Sequence, residues 1–284
     1  MKDKEIIENI IGGEALYESM MKCKKGVSWK NSVVHYCLNG IEETLKLEKQ
    51  LKTNTYVPRP PKHIQITYPK KRDAVSISFR DRVYQRSLND NQIYPSMTKS
   101  LINTNCACQT GKGTDFAFKY LEKYLKQAFR KHETNFHVLQ GDIKGYYPNM
   151  RHDVAEENFK RYLHPQVYDR AVEILRKQYE QEVGYNPGSQ MVQIAGISVL
   201  SPLDHFIKEK LRIKWYIRYM DDFILLHSNE KYLKYCYEEI RKFLKKIGFE
   251  PHPDKTKIFE VKKRNKISWI YALHNKNWKG DKNC

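Results

Sequence analysis

The sequence predicts an α+β fold, and three observations carry that prediction. Short apolar stretches recur as candidate strands, two pairs of them as hairpins. Longer stretches between them place apolar residues at helical spacing. Their order is α, ββ, α, β, α, β-hairpin, α, β, which is not the regular βα alternation of a parallel doubly wound sheet. With 284 residues the chain can form one large domain or two interlocked ones.

Each element has a local reason. Glu5 to Leu51 reads mainly as helix, with Val34, Leu38, Ile41 and Leu45 near helical period. Pro58, Pro60 and Pro61 end that segment. His63–Tyr68 and Val75–Phe79 alternate as strands around the short charged stretch Pro69–Asp73, as in a hairpin. Arg80–Leu88 returns to a helical pattern, and Asn103–Gly113 is a polar loop. Thr114–Lys131 spaces Phe116, Tyr120 and Tyr124 by four. Phe136–Leu139 is a buried strand running into Gly141-Asp142. Helices follow at Val154–Leu163 and Val167–Gln181, a turn at Gly184–Gly188, and a helical stretch Met191–Leu211 with Pro202 as a break or kink. Trp215–Tyr219 and Phe223–His227 flank Met220-Asp221-Asp222 as a tight hairpin. Lys231–Ile247 puts Leu233, Tyr237, Ile240, Leu244 and Ile247 on one face and stops at Gly248; Lys257–Val261 is a last strand.

Lys and Arg number 51 against 33 Asp and Glu, a formal net charge of +18. Solvent or a polyanion must compensate such a surplus. Nucleic acid comes first, because neutralised phosphates release counterions. A basic membrane-surface protein is the rival reading. No apolar run is long enough to span a bilayer, and Met1–Glu8 carries both signs of charge, unlike a signal peptide. The expectation is a cytoplasmic protein with no membrane partner. Aromatic residues reach 12 %, which argues for a folded protein rather than a disordered polycation. The six cysteines form no C-x-x-C pair and are expected to be free thiols.

The strongest chemical signal is Tyr219-Met220-Asp221-Asp222 between apolar strands. Two Asp at a turn are by themselves ordinary. At the tip of a buried hairpin they repel each other unless a cation compensates. Asp142 ends another buried strand, in Gly141-Asp142-Ile143-Lys144-Gly145-Tyr146-Tyr147. If the two strands are neighbours, Asp142 and Asp221 converge at one sheet end. Such oxygen ligands suit Mg²⁺, and two ions about 4 Å apart can activate a 3′-hydroxyl and stabilise leaving pyrophosphate. Gly111-Lys112-Gly113-Thr114 lacks the first Gly of a P-loop and is set aside as a nucleotide site; a loop touching template backbone is the better reading.

The pairing of a Tyr-x-Asp-Asp hairpin with an upstream Asp-Ile-Lys-x-x-Tyr resembles the palm of reverse transcriptases. Tyr68-Pro69-Lys70-Lys71-Arg72 and Phe79-Arg80-Asp81-Arg82-Val83-Tyr84-Gln85 are similar to the fingers of the bacterial enzymes of group II introns, retrons and diversity-generating retroelements. Asp254-Lys255-Thr256-Lys257-Ile258 resembles the family's Lys-Thr-Lys motif. The best register of the glycine motif is Gly188-Ser189-Gln190-Met191-Val192-Gln193, with Val192 in place of the usual Ser and Pro202–Phe206 downstream in support. Gln193 leans towards the diversity-generating or a related lineage.

The resemblance implies a right-hand polymerase fold. Residues 1–135 would be mainly fingers and 136–261 mainly palm, with 151–190 able to return to the fingers. The tail, 262–284, is atypical or truncated, without a clear primer grip and with a thumb short or absent. It implies an RNA-directed DNA polymerase that adds dNTPs to a DNA or RNA primer on an RNA template, within a retroelement or defence system. Asp142, Asp221 and Asp222, with the Ile143 backbone carbonyl, would hold two Mg²⁺, with Mn²⁺ as substitute. Lys70, Lys71, Arg72, Tyr147, Gln193 and Lys255 would bind the dNTP. Tyr147 would be the steric gate, its phenol excluding a 2′-hydroxyl; a core aromatic is the plainer alternative. A protein partner could supply thumb-like contacts. The rivals are an RNA-dependent RNA polymerase, which Tyr147 opposes, and a catalytically weak RNA-binding subunit, which the intact carboxylates oppose.

Overall fold

A computed structural model of the chain describes residues 3–68, 72–186 and 188–261. Four helices come first: α1 (Asp3–Ile11), α2 (Gly13–Lys24), α3 (Asn31–Leu38) and α4 (Gly40–Lys52). The hairpin of β1 (Lys62–Ile66) and β2 (Arg72–Ser76) follows, then α5 (Phe79–Leu88), a π-helical turn at Asn89–Ile93 and α6 (Tyr94–Thr98). Next are α7 (Thr114–His132), β3 (His137–Gly141), α8 (His152–Tyr162), α9 (Pro165–Gln178), α10 (Gln190–Val199) and α11 (Ser201–His205). A second π-helical turn, Phe206–Lys210, precedes β4 (Trp215–Tyr219), β5 (Asp222–His227), α12 (Glu230–Lys246) and β6 (Lys257–Glu260). The helical stretch breaks next to Pro202, as expected: α10 ends at Val199, and Pro202 sits in the first turn of α11, where its missing N–H costs nothing.

The chain forms two compact units, each discontinuous in sequence. One comprises the chain up to Lys99 together with His152–Ala195; the other comprises Ser100–Arg151 and the chain from Gly196 onward. In the first, α2 packs on α4 and α5 over Leu16, Met20, Leu47, Leu51, Val83 and Leu88, all buried. Ser78 caps α5, accepting from the Asp81 N–H, while the Asp81 carboxylate accepts from the Ser78 hydroxyl at 2.7 Å. The stripe Val34, Leu38, Ile41 and Leu45 is not core, as Leu38 is 74 % and Ile41 67 % exposed. The helix breaks at Asn39, and α4 buries Thr44, Leu47 and Leu51 instead. A stripe read across that break therefore mixes two helices.

The second unit is built on an antiparallel sheet of order β4-β5-β3-β6. Strand periodicity sorts its two faces. Val138, Ile217, Ile224 and Leu226 form a core with Ala117, Leu121 and Ala128 of α7. The helix α12 packs against β3, β5 and β6. It buries Leu233, Cys236, Ile240 and Leu244, so Cys236 takes the place expected for Tyr237. Gly248 ends it at φ +84°, a left-handed conformation that suits Gly. The free edge of β4 is covered by residues 104–106: Arg218 N–H donates to the Thr104 carbonyl and Cys106 N–H to the Arg218 carbonyl.

Candidate active site

The strands β3 and β5 are neighbours, and their pairing ends at Gly141 opposite Phe223. Asp142 leaves the sheet at the end where the β4–β5 hairpin turns. Tyr219 pairs with Asp222, so Met220 and Asp221 form a two-residue loop. Met220 has φ +53°, left-handed for a non-glycine residue, a conformation that costs on the order of 1 kcal/mol. Gly141 is fixed by contact. A Cβ there would lie 2.1 Å from Cζ of Phe223, whose ring is buried across it. Beyond Asp142 the chain pairs with residues 250–252: His252 N–H donates to the Asp142 carbonyl at 2.7 Å and Lys144 N–H to the Glu250 carbonyl at 2.9 Å. Neither bond uses the Ile143 carbonyl.

Three carboxylates thus gather with one ammonium, since Lys255 Nζ lies 2.9 Å from Asp142 Oδ2. Burial, then the charge of Asp142, pushes the Asp221 carboxyl up to about 6. For Asp222, burial and the charges of Asp221 and Asp142 push it up to about 8, against the pull of Lys255. Lys255 is raised by its hydrogen bond to Asp142. Asp222 Oδ1 is buried without a hydrogen-bond partner. An orphaned carboxylate oxygen among like charges fits a hard divalent cation. Among the described residues no group of three His, Cys, Asp or Glu side chains is placed to hold a metal ion by itself.

Sequence reading missed Arg218 and Asp204. Both side chains are wholly buried and form a bidentate pair, Nε to Oδ1 and Nη2 to Oδ2, each at 2.7 Å. Tyr216 Oη donates to Asp204 Oδ1 at 2.6 Å. The guanidinium also donates to the Met220 carbonyl at 2.8 Å and the Ile197 carbonyl at 2.8 Å. The strained hairpin tip is therefore held from behind by a fixed fork. The available signal was a lone Arg in the apolar run Trp215–Tyr219, which demands a buried acid.

The family model for reverse transcriptase (RNA-dependent DNA polymerase) matches residues 67–271, most of the chain. The chain belongs to the reverse transcriptase family. Its fold is that of the right-hand polymerases, α+β as expected. Among solved structures, telomerase from Candida albicans in complex with a fragment of telomeric RNA is 12 % identical at a TM-score of 0.49. That match covers 70 % of this chain and 41 % of the telomerase. Apo telomerase from Candida tropicalis lacking its C-terminal domain is 14 % identical at a TM-score of 0.49, covering 79 % of this chain and 56 % of that one. The chain thus spans about half the length of those telomerases, or less. No curated protein matches its sequence.

Tyr147 lies in the turn after Asp142, half-buried, while Tyr146 is buried and donates to the Gly196 carbonyl. A Cβ on Gly196 would meet Tyr147 Oη at 2.9 Å, so the phenol rests where α10 has no side chain. Gln193, half-buried on α10, and Arg72, which opens β2, belong to the first unit; Lys70 and Lys71 fall outside the described residues, as does the tail 262–284. Lys112 donates to the carbonyls of Asn103 and Asn105 and to Gln109 Oε1 at 3.0–3.2 Å. It therefore ties its own loop together. No helix among the described residues is long and apolar enough to cross a membrane.

Proposed function

We propose that this chain is an RNA-directed DNA polymerase of the compact bacterial type, extending a DNA or RNA primer on an RNA template in a reducing cytoplasm. The observation that carries the reading is the adjacency of β3 and β5, which brings Asp142, Asp221 and Asp222 to one sheet end. Asp142 and Asp221, supported by Asp222 and the Ile143 carbonyl, would hold two Mg²⁺ or Mn²⁺. Bound there, the ions supply activation of the primer 3′-hydroxyl and charge compensation for the leaving pyrophosphate. Lys255, paired with Asp142 at 2.9 Å, offsets the carboxylate charge and contacts a phosphate of the incoming dNTP. Tyr147 faces the sugar as steric gate. Lys70, Lys71, Arg72 and Gln193 contact the incoming dNTP. Residues of the first unit serve as fingers and the sheet of the second as palm. A retroelement or defence system is the setting, with a protein partner supplying thumb-like contacts.

Primer extension on an RNA template, with dNTPs and with NTPs, tests this reading. Wild type should extend with dNTPs only when Mg²⁺ is present, and Asp142→Asn and Asp221→Asn should each abolish extension while remaining folded. Near-normal extension by either variant would remove the carboxylates from the mechanism, and a preference for NTPs would favour an RNA polymerase.

A further inference from the structure

The first unit contains a cavity that the carboxylate site does not use. It measures about 230 Å³ and is lined by Lys22, Lys25, Arg82, Gln85 and Arg86, with the backbone stretch Gly188–Gln190 completing the wall. Sites for drug-sized ligands begin at roughly 300 Å³, so this one suits a single compact group. Four of its side chains are cations and none of the lining residues is acidic. Lys22 and Arg86 share Asp90, at 3.3 and 2.7 Å. Lys25 and Arg82 make no ion pair among the described residues. In Arg80-Asp81-Arg82 the acid is already engaged. Asp81 accepts from Tyr56 Oη at 2.9 Å, from the Arg59 N–H at 2.9 Å and from Arg80 Nη2 at 3.0 Å, which leaves Arg82 uncompensated.

Two further features select an oxyanion. Gln85 is 5 % exposed, and its Nε2 is buried without a hydrogen-bond partner. A buried donor of that kind calls for an acceptor. The ten-residue helix α10 begins at the cavity with Gln190, and a helix start adds free N–H groups and a favourable dipole. Gly188 lets the chain ahead of α10 lie close on β2, as a Cβ there would lie 2.7 Å from the Val75 carbonyl oxygen. Lys22 and Lys25 are exposed at the mouth, so a strand running over the surface can reach in.

We infer that this cavity binds a phosphate of the nucleic-acid backbone and seats the RNA template strand on the first unit. The inference rests on the nucleic-acid reading above, not on catalysis. Free phosphate shares the same chemistry, and the test separates the two sources. Arg82→Gln and Lys25→Gln are compared with wild type for binding to an RNA template annealed to a DNA primer, by fluorescence anisotropy across a salt series. Each variant should lower the slope of log Kd against log salt by about one, irrespective of sequence. Lys46→Gln on α4, whose ammonium pairs with Glu42 and Glu43, should leave it unchanged. Lys25 is exposed, so its variant keeps the test valid if Arg82→Gln folds poorly. Equal slopes in wild type and both variants overturn the inference. So does a rise in wild-type Tm with inorganic phosphate, absent in the variants, when the RNA slope does not move, because the cavity then serves a free anion. Primer extension is read in parallel. Wild type that extends while the slopes coincide sinks this inference alone. Wild type that fails to extend while the slopes differ sinks the polymerase reading and leaves the phosphate site standing.

Discussion

The proposed function makes Tyr147 the steric gate, and Gly196 supplies the room in which its ring lies. The Tyr147 phenol lies against the bare Cα of Gly196, and an overlap with a 2′-hydroxyl costs more than a lost contact gains. Tyr147→Ala should therefore admit ribonucleotides while dNTP extension continues. The ratio of dGTP to GTP incorporation efficiency on one template measures this, and an unchanged ratio would make Tyr147 a packing residue. A second prediction concerns Asp222 in the metal-free protein. The native state keeps Asp221 and Asp222 protonated up to about 6 and about 8, whereas an unfolded Asp loses its proton near ~3.9. Between those values the native state binds more protons than the unfolded one, so stability falls as pH rises from the unfolded pKa through the folded ones. Asp222→Asn removes part of that repulsion. Without Mg²⁺, its Tm should fall less steeply with pH than that of wild type and exceed it at the alkaline end, while extension is lost. A variant Tm that tracks wild type at every pH would contradict this account. Of these residues, the Asp and Tyr positions were legible as motif letters. Gly196 was not, because nothing local reveals which ring will lie against a helical glycine.

At the scale of elements, the β4–β5 hairpin joins a sequence motif to a tertiary support. Its strands and two-residue loop follow from apolar runs around Met220-Asp221. Its conformation is held by Arg218, whose guanidinium bonds Asp204 and the Met220 carbonyl together. Removing one partner of such a buried pair costs ~3–5 kcal/mol, whereas replacing both by apolar groups is often neutral. Arg218→Met alone should thus lose stability and activity together. Arg218→Met with Asp204→Leu should recover much of the stability in urea unfolding without recovering extension, because the Met220 carbonyl still lacks its donor. Recovery of both would reduce the pair to a structural role. Gly141→Ala belongs to the same element pair. Its Cβ would press on the buried Phe223 ring, and overpacking of this kind costs ~1–3 kcal/mol. A midpoint unchanged from wild type would mean the ring can move aside.

Over the whole molecule, charge is the dominant property. The +18 surplus predicts primer–template binding that weakens steeply from low to moderate salt, with the slope counting neutralised phosphates. Affinity that is flat with salt would place the binding face elsewhere. The exposed Val34, Leu38, Ile41 and Leu45 are a reminder that helical period alone does not identify a core. Periodicity specifies that a helix can present an apolar stripe, but packing decides whether anything covers it.

The sequence by itself determined the kind and order of the elements, because hydrophobic period, Pro and Gly act locally. It also marked Asp142, Asp221 and Asp222, because carboxylates at the ends of apolar runs are conspicuous. Only the tertiary structure decided that β3 lies between β5 and β6 and that Arg218 grips the hairpin tip. It alone revealed that Arg82, Gln85 and the start of α10 share a cavity. Those facts depend on contacts between residues far apart in the chain, and no local pattern encodes a partner that distant.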